Sequence, residues 1–201
     1  MSQTRFVPGF ELLLASESPR RRNLLALAGV AFEVRPSGIE EIIRDRETAA
    51  TYVARLAREK AASLHPSPNQ GVLAADTTVV LLDAAVERIL EKPSSPAEAV
   101  SMLTALQGRS HFVLTAVCFR FHGDFWSCVE RTDVQMAAMS PAEIDAYVAS
   151  GEPFGKAGAY AIQGLASRYV TRLEGCYFNV VGLPIHQVFQ LFAQAGVLAK
   201  L

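Results

Sequence analysis

Phe10-Glu11-Leu12-Leu13-Leu14-Ala15, followed directly by Ser16-Glu17-Ser18-Pro19-Arg20-Arg21-Arg22, reads as a buried strand that feeds a helix. Ser18 is placed as N-cap, Pro19 occupies the first helical position, and Gly29 closes the element. The same alternation of short apolar runs with longer helical patterns continues along the chain. That alternation predicts an α/β or mixed α+β fold. Val30 to Arg35 is expected as a second strand, ended by Pro36-Ser37-Gly38. From Thr48 onward, Val53, Leu56, Ala57, Ala61 and Leu64 recur at helical spacing and predict a long amphipathic helix. Gly71 to Ala75 and Thr77 to Leu82 read as strand, Asp83 to Arg88 as a turn, and Ile89-Leu90 as the return.

Two further helix starts share one grammar. Ser95-Pro96-Ala97-Glu98 and Ser140-Pro141-Ala142-Glu143 each supply a cap, an N1 proline and a capping-box glutamate. Between these helices, His111 to Phe121 and Phe125 to Met136 flank His122-Gly123-Asp124 and predict a long hairpin. Tyr169 to Leu173 is expected as a strand and Pro184 to Ala195 as a final helix. No repeat, linker or low-complexity segment interrupts the chain. A length of 201 residues favours one domain.

Composition narrows the classes of function. Half the residues are hydrophobic, with 11 Phe, so a sizeable core is expected. Nineteen basic against 20 acidic residues leave a net charge of −1, which provides no global field for a nucleic acid polymer or an anionic membrane. Cys118, Cys128 and Cys176 are odd in number and form no C-x-x-C pair, so neither a disulfide framework nor a zinc ribbon is expected. His65, His111, His122 and His186 lack metal-ligand spacing. The first ten residues carry no apolar core of a signal peptide, and no apolar run approaches a membrane span. A soluble, cytoplasmic protein is expected.

Four places in the chain stand out chemically. The Ser18 helix carries Arg20, Arg21 and Arg22 in its first turn, where the other two starts carry a glutamate. Exposed arginines there oppose the helix dipole by about 0.3–1 kcal/mol each. A bound polyanion reverses that sign; salt bridges in a solvated basic turn are the plainer reading. Asp76, with Thr77 and Thr78, interrupts an apolar strand, so it either has a partner or metal or caps a strand end. Lys60, Lys92 and Lys156 are three of only four lysines. Lys156 lies in Gly155-Lys156-Ala157-Gly158-Ala159, small residues that let backbone approach a ligand, although P-loop spacing is absent. Gln163, in Ala161-Ile162-Gln163-Gly164, offers a donor and an acceptor suited to a base edge, or is simply an exposed loop amide. Gly175 to Pro184 delivers Asn179 and Gly182 to the start of the last helix, as a second anion seat or as ordinary packing.

Taken together, these residues resemble the Maf family of nucleoside triphosphate pyrophosphatases, also known as septum formation inhibitor proteins. The resemblance rests on Leu14-Ala15-Ser16-x-Ser18-Pro19-Arg20-Arg21, Arg58-Glu59-Lys60-Ala61, Ala75-Asp76-Thr77 and Leu90-Glu91-Lys92-Pro93. It continues through Thr115-Ala116-Val117, Lys156-Ala157-Gly158-Ala159-Tyr160, Ile162-Gln163-Gly164 and Asn179-Val180-Val181-Gly182-Leu183-Pro184.

The resemblance implies an elongated mixed α/β sheet flanked by helices, like that of inosine triphosphatases. It implies two lobes around a cleft, with the region about 110–150 in the smaller one, and a homodimer. It also implies hydrolysis between the α and β phosphates, with Mg²⁺ or Mn²⁺. Asp76 then matches the proton acceptor, and Ser16, Arg20, Arg21, Glu41, Lys60 and Lys92 match the polar shell around it. Asp76 and Glu41 are expected to hold the metal, with the adjacent Glu40 the alternative to Glu41. Arg20, Thr77 and Gln163 match the branch acting on dTTP and UTP; 7-methyl-GTP hydrolysis and a non-catalytic nucleotide sensor are the rival expectations. Gly155, Ala161 and Cys176 depart from frequent family residues, and the Asp83 to Arg88 segment is expected to form a longer hairpin.

Overall fold

In the computed structural model, which describes residue 4 and residues 6–199, the opening run forms β1 (Glu11–Leu14) and α1 (Pro19–Leu27). Leu12, Leu13 and Leu14 are buried, as a continuous apolar run requires of a strand covered on both faces. Ser18 caps α1, with its side chain accepting from the Arg21 amide. The expected strand from Val30 to Arg35 shortens to β2 (Glu33–Val34). It pairs in parallel with β1 at Leu13 with Glu33 and Leu14 with Val34, and the Arg35 amide adds one further bond to the Leu14 carbonyl.

The long helix is α2 (Ala49–Ser63), capped by Thr48. Tyr52, Val53, Leu56, Ala57 and Ala61 line its buried face. Leu64 falls just beyond the helix, in extended conformation. The two expected strand pieces around Asp76 are one continuous strand, β3 (Gln70–Asp83), parallel to β1 with Leu14 opposite Leu73. Asp76 interrupts its polarity but not its backbone. β4 (Val86–Leu90) returns antiparallel to β3. The expected six-residue turn is therefore only Ala84-Ala85, with φ of 47° and 71°. Both central residues take the positive φ that a two-residue turn matching strand twist demands.

α3 (Pro96–Leu106) and α4 (Pro141–Ala149) begin where their Ser-Pro-x-Glu signals place them. The reciprocal capping box closes only at Ser140 and Glu143; the Glu98 carboxylate turns instead to the Ser94 amide and hydroxyl. β5 (Ser110–Phe121) and β6 (Asp124–Met136) form the hairpin across His122-Gly123. β7 (Val170–Glu174) runs antiparallel to β6. A short α5 (Tyr177–Val181) was not expected, and α6 (Ile185–Gln194) follows. Among the described residues the sheet has seven strands in the order β2-β1-β3-β5-β6-β7, with β4 on β3. The fold is mixed α/β, a sheet flanked by helices.

Contacts divide the chain into two units. One comprises the residues up to Asp76, Thr115–Glu130 and Gly182 onward. Its core holds Leu13, Leu14, Leu25, Leu56, Leu73, Phe119 and Phe192, all essentially inaccessible. The other comprises Thr77–Leu114 and Arg131–Val181. Leu81, Leu103, Leu106, Val113, Val134, Tyr147 and Tyr160 form its core. No helix among the described residues is long and apolar enough to cross a membrane.

Candidate active site

At the start of α1, Arg22 is exposed while Arg20 is half-buried and Arg21 is held by the chain itself. Ser16, buried behind β1, accepts hydrogen bonds from the Ser18 amide and from Arg21 Nη1, each at 3.2 Å. Arg21 Nε donates to the Gly182 carbonyl at 2.8 Å. Arg21 is thus fixed at both ends of its fork by the chain itself. Burial lowers its pKa, and the nearby Asp76 and Glu41 carboxylates act in the opposite direction. Arg20 is half-buried, and its pKa is also lowered by desolvation. No acid occupies the first turn of α1.

At the centre of this unit, Lys60 of α2 meets Asp76 of β3. Lys60 Nζ lies 2.6 Å from Asp76 Oδ1 and 2.6 Å from Glu41 Oε1. The lysine and aspartate side chains are each 7% exposed, against 27% for Glu41. Position 60 follows Leu56 by one helical turn, which carries the lysine stem onto the apolar face and its ammonium to β3. The spacing placed Lys60 beside the stripe; the structure buries it within the stripe. Burial raises the Asp76 pKa above its ordinary value, a shift that Lys60 and Arg21 oppose but do not cancel. A carboxylate raised in this way is a better proton acceptor near neutral pH than a solvent-exposed one.

The Glu41 loop is anchored by residues that sequence patterning did not single out. Arg55 grips Glu47 with two bonds of 2.7 Å, donates to the Ile42 carbonyl at 2.8 Å and reaches Glu59 at 3.1 Å. Arg44 closes the set on Glu59 at 2.9 Å. Arg55 and Lys60 both project from α2, so the helix that supplies the lysine also fixes the loop bearing its second carboxylate. The Glu residue four positions after Arg55 was the one available signal.

Thr77, Lys92, Lys156 and Gln163 belong to the other unit. Thr77 follows Asp76 on β3 and is half-buried, while the neighbouring Thr78 hydroxyl donates to Glu91 at 3.1 Å. Lys92 is exposed just past β4. Lys156 donates to the Glu152 and Phe154 carbonyls. The small residues around it serve internal packing: a Cβ on Gly158 would stand 2.8 Å from Val79, and its amide bonds the Glu91 carbonyl. Gln163 is exposed, in a loop held by Glu152 and Tyr147.

Asn179 is wholly buried. Its side-chain amide donates to the Val113 carbonyl at 3.0 Å and to Thr132 Oγ1 at 2.9 Å. Of the two readings of its segment, packing holds for Asn179, whereas Gly182 reaches the site through its carbonyl.

The donors Asp76 and Glu41 are hard oxygens, the kind Mg²⁺ or Mn²⁺ takes in ones and twos alongside substrate phosphates. Among the described residues no group of three or more His, Cys, Asp or Glu could hold a metal without such help. The residues present fit a metal that arrives with a phosphorylated substrate.

Asp76, its pKa raised by burial, is thus paired with the buried Lys60 and lies near the fixed Arg21 in a mixed α/β fold. The chain belongs to the Maf-like protein family, whose model matches residues 11–195. It is 48% identical over 192 residues to a dTTP/UTP pyrophosphatase of Anaeromyxobacter sp. (strain Fw109-5), covering 93% of this chain and 90% of that one. A dTTP/UTP pyrophosphatase of Koribacter versatilis is 45% identical, with 96% and 99% of the two chains covered. Among solved structures, a nucleoside-triphosphatase/dITP/XTP pyrophosphatase from Mycobacterium abscessus aligns with a TM-score of 0.44 at 14% identity, covering 93% of this chain and 98% of that one.

Proposed function

We propose that this chain hydrolyses dTTP and UTP between the α and β phosphates, releasing the nucleoside monophosphate and pyrophosphate. The observation that carries the reading is the Lys60 ammonium, 2.6 Å from both Asp76 and Glu41, in a family whose relatives bear that activity by name. The buried Asp76 carboxylate, raised above its ordinary pKa beside Lys60 and Arg21, supports catalysis over binding alone.

In this reading Asp76 accepts the proton of the attacking water. Lys60 opposes the rise that burial imposes on the Asp76 pKa, and Arg21, fixed by Gly182 and Ser16, faces the developing negative charge. Arg20, Lys92 and Lys156 add positive charge for the phosphates, and Ser16 orders the turn that receives them. Mg²⁺ or Mn²⁺, held by Asp76 and Glu41 together with the phosphates, would neutralise charge on the leaving pyrophosphate. Thr77 and Gln163 read the pyrimidine, the Gln163 amide meeting a carbonyl and an N–H on one base edge. The enzyme works in the cytoplasm as a homodimer, removing unwanted nucleotides.

Pyrophosphate release from dTTP, UTP, CTP and 7-methyl-GTP, each with Mg²⁺ or Mn²⁺, tests this reading. dTTP and UTP are expected to give the highest kcat/KM. A wide preference for 7-methyl-GTP would overturn the roles of Thr77 and Gln163; saturable binding without turnover would overturn the activity.

A further inference from the structure

The loop carrying Gln163 hangs from two side chains at the end of α4. Glu152 Oε2 accepts from the Leu165 amide at 2.9 Å. Its Oε1 accepts from the Ala166 amide at 3.4 Å and from the Tyr147 hydroxyl at 2.8 Å. The same hydroxyl accepts from the Ala161 amide at 3.3 Å. Gln163 therefore sits between two backbone anchor points that lead to one Tyr147–Glu152 pair. Leu165 and Ala166 begin a short 3₁₀ turn, Leu165–Tyr169, whose first amides need an acceptor from outside the turn. The carboxylate supplies it.

Gly164 shows how closely this support is fitted. A Cβ at that position would stand 2.2 Å from Glu152 Oε2, so any larger residue there displaces the carboxylate from its present seat against the loop. Tyr147 is a rigid platform, 1% exposed within its unit's core. With three donors already on its two oxygens, Glu152 is engaged in holding the loop rather than in accepting a proton from substrate.

We propose that Glu152 is a positioning residue for base specificity. It holds the Ala161-to-Ala166 loop so that the Gln163 amide presents its donor and acceptor to a pyrimidine edge bearing a carbonyl beside an N–H. The inference rests on the proposed role of Gln163 as base reader. Glu152→Gln replaces one acceptor oxygen by an NH₂ group, leaving either Tyr147 and Ala166 or Leu165 facing a donor. Gly164→Ala attacks the same contact from the other side.

The test measures kcat and KM for dTTP, UTP and 7-methyl-GTP with the full chain and four variants: Glu152→Gln, Gly164→Ala, Gln163→Ala, and Glu152→Gln with Gln163→Ala. Glu152→Gln and Gly164→Ala are expected to raise KM for dTTP and UTP about tenfold, to keep kcat within about twofold, and to narrow the preference over 7-methyl-GTP. Once Gln163 is gone, adding Glu152→Gln should change selectivity less than about twofold, because the two act through one contact. Tyr147→Phe, which keeps the buried ring, stands in where Glu152→Gln does not fold, and should shift selectivity the same way. Unchanged selectivity in folded Glu152 and Gly164 variants overturns the proposal, as does a full independent effect in the Gln163→Ala background. If Gln163→Ala itself leaves selectivity unchanged, the base-reading role of Gln163 falls first and the positioning role with it.

Discussion

Lys60 Nζ and Asp76 Oδ1 lie 2.6 Å apart, one on a helix and one on the strand it covers, both nearly closed to solvent. Removing two charges from water costs several kcal/mol, and only close pairing with further hydrogen bonds offsets it. Glu41 gives the ammonium a second partner, and Arg21 adds a second positive charge within reach of the acid. The cluster is therefore a balanced set whose parts depend on one another.

Lys60→Met should remove both activity and stability. Leaving Asp76 without its partner costs about 3–5 kcal/mol while the acid is ionised. The Asp76 pKa already lies above its ordinary value and rises further in this variant. Its stability is thus retained at low pH and lost as pH increases through the folded-state pKa. Thermal unfolding should show a larger deficit at pH 8 than at pH 5. Adding Asp76→Asn should restore most of the Tm without restoring turnover; an additive double variant would contradict the coupling.

Arg55→Lys tests whether the Glu41 loop needs its anchor. Lysine keeps the charge but cannot reproduce the fork that holds Glu47, Ile42 and Glu59 together. A stability loss of about 1–2 kcal/mol in urea unfolding is expected. A fall in kcat of about tenfold should accompany it, as Glu41 loses its place beside Lys60. Unchanged kcat would separate the loop from the chemistry.

His111 predicts how the fold responds to acid. It is buried, with Nε2 against the Tyr160 hydroxyl at 2.8 Å, and burial lowers its pKa to about 4 despite the field of Asp133. The unfolded chain takes up this proton near pH 6.5, whereas the native chain does not until about pH 4. Stability from this group is complete above pH 6.5 and is lost as pH falls toward 4, by up to about 3 kcal/mol. His111→Gln should flatten the pH dependence of urea unfolding over that interval. An unchanged slope would show that other groups set it.

Local grammar made much of the fold legible. Ser18-Pro19, Ser95-Pro96 and Ser140-Pro141 fix three helix starts through capping, and His122-Gly123 fixes a hairpin through its turn. Asp76 stood out because a carboxylate in an apolar strand demands a partner. The partners themselves lay beyond local reasoning. The Gly182 carbonyl that holds Arg21 is 161 positions away in sequence, and the Glu152 carboxylate lies 13 positions before the Leu165 amide it accepts. Such contacts depend on where elements pack, and no spacing rule encodes that. β2 was overestimated for a similar reason: only Glu33 and Val34 pair with β1, and local apolar patterning does not encode which residues find a partner.

Asp76 as proton acceptor is the centre of the proposed reaction. Asp76→Asn keeps the size of the side chain and its contact distance to Lys60 while abolishing its basicity. Pyrophosphate release from dTTP with Mg²⁺, measured on protein whose circular dichroism and Tm match or exceed those of the parent, should fall by about 10²–10⁴-fold. Release within a few-fold of the parent, from protein shown to be folded, would contradict it.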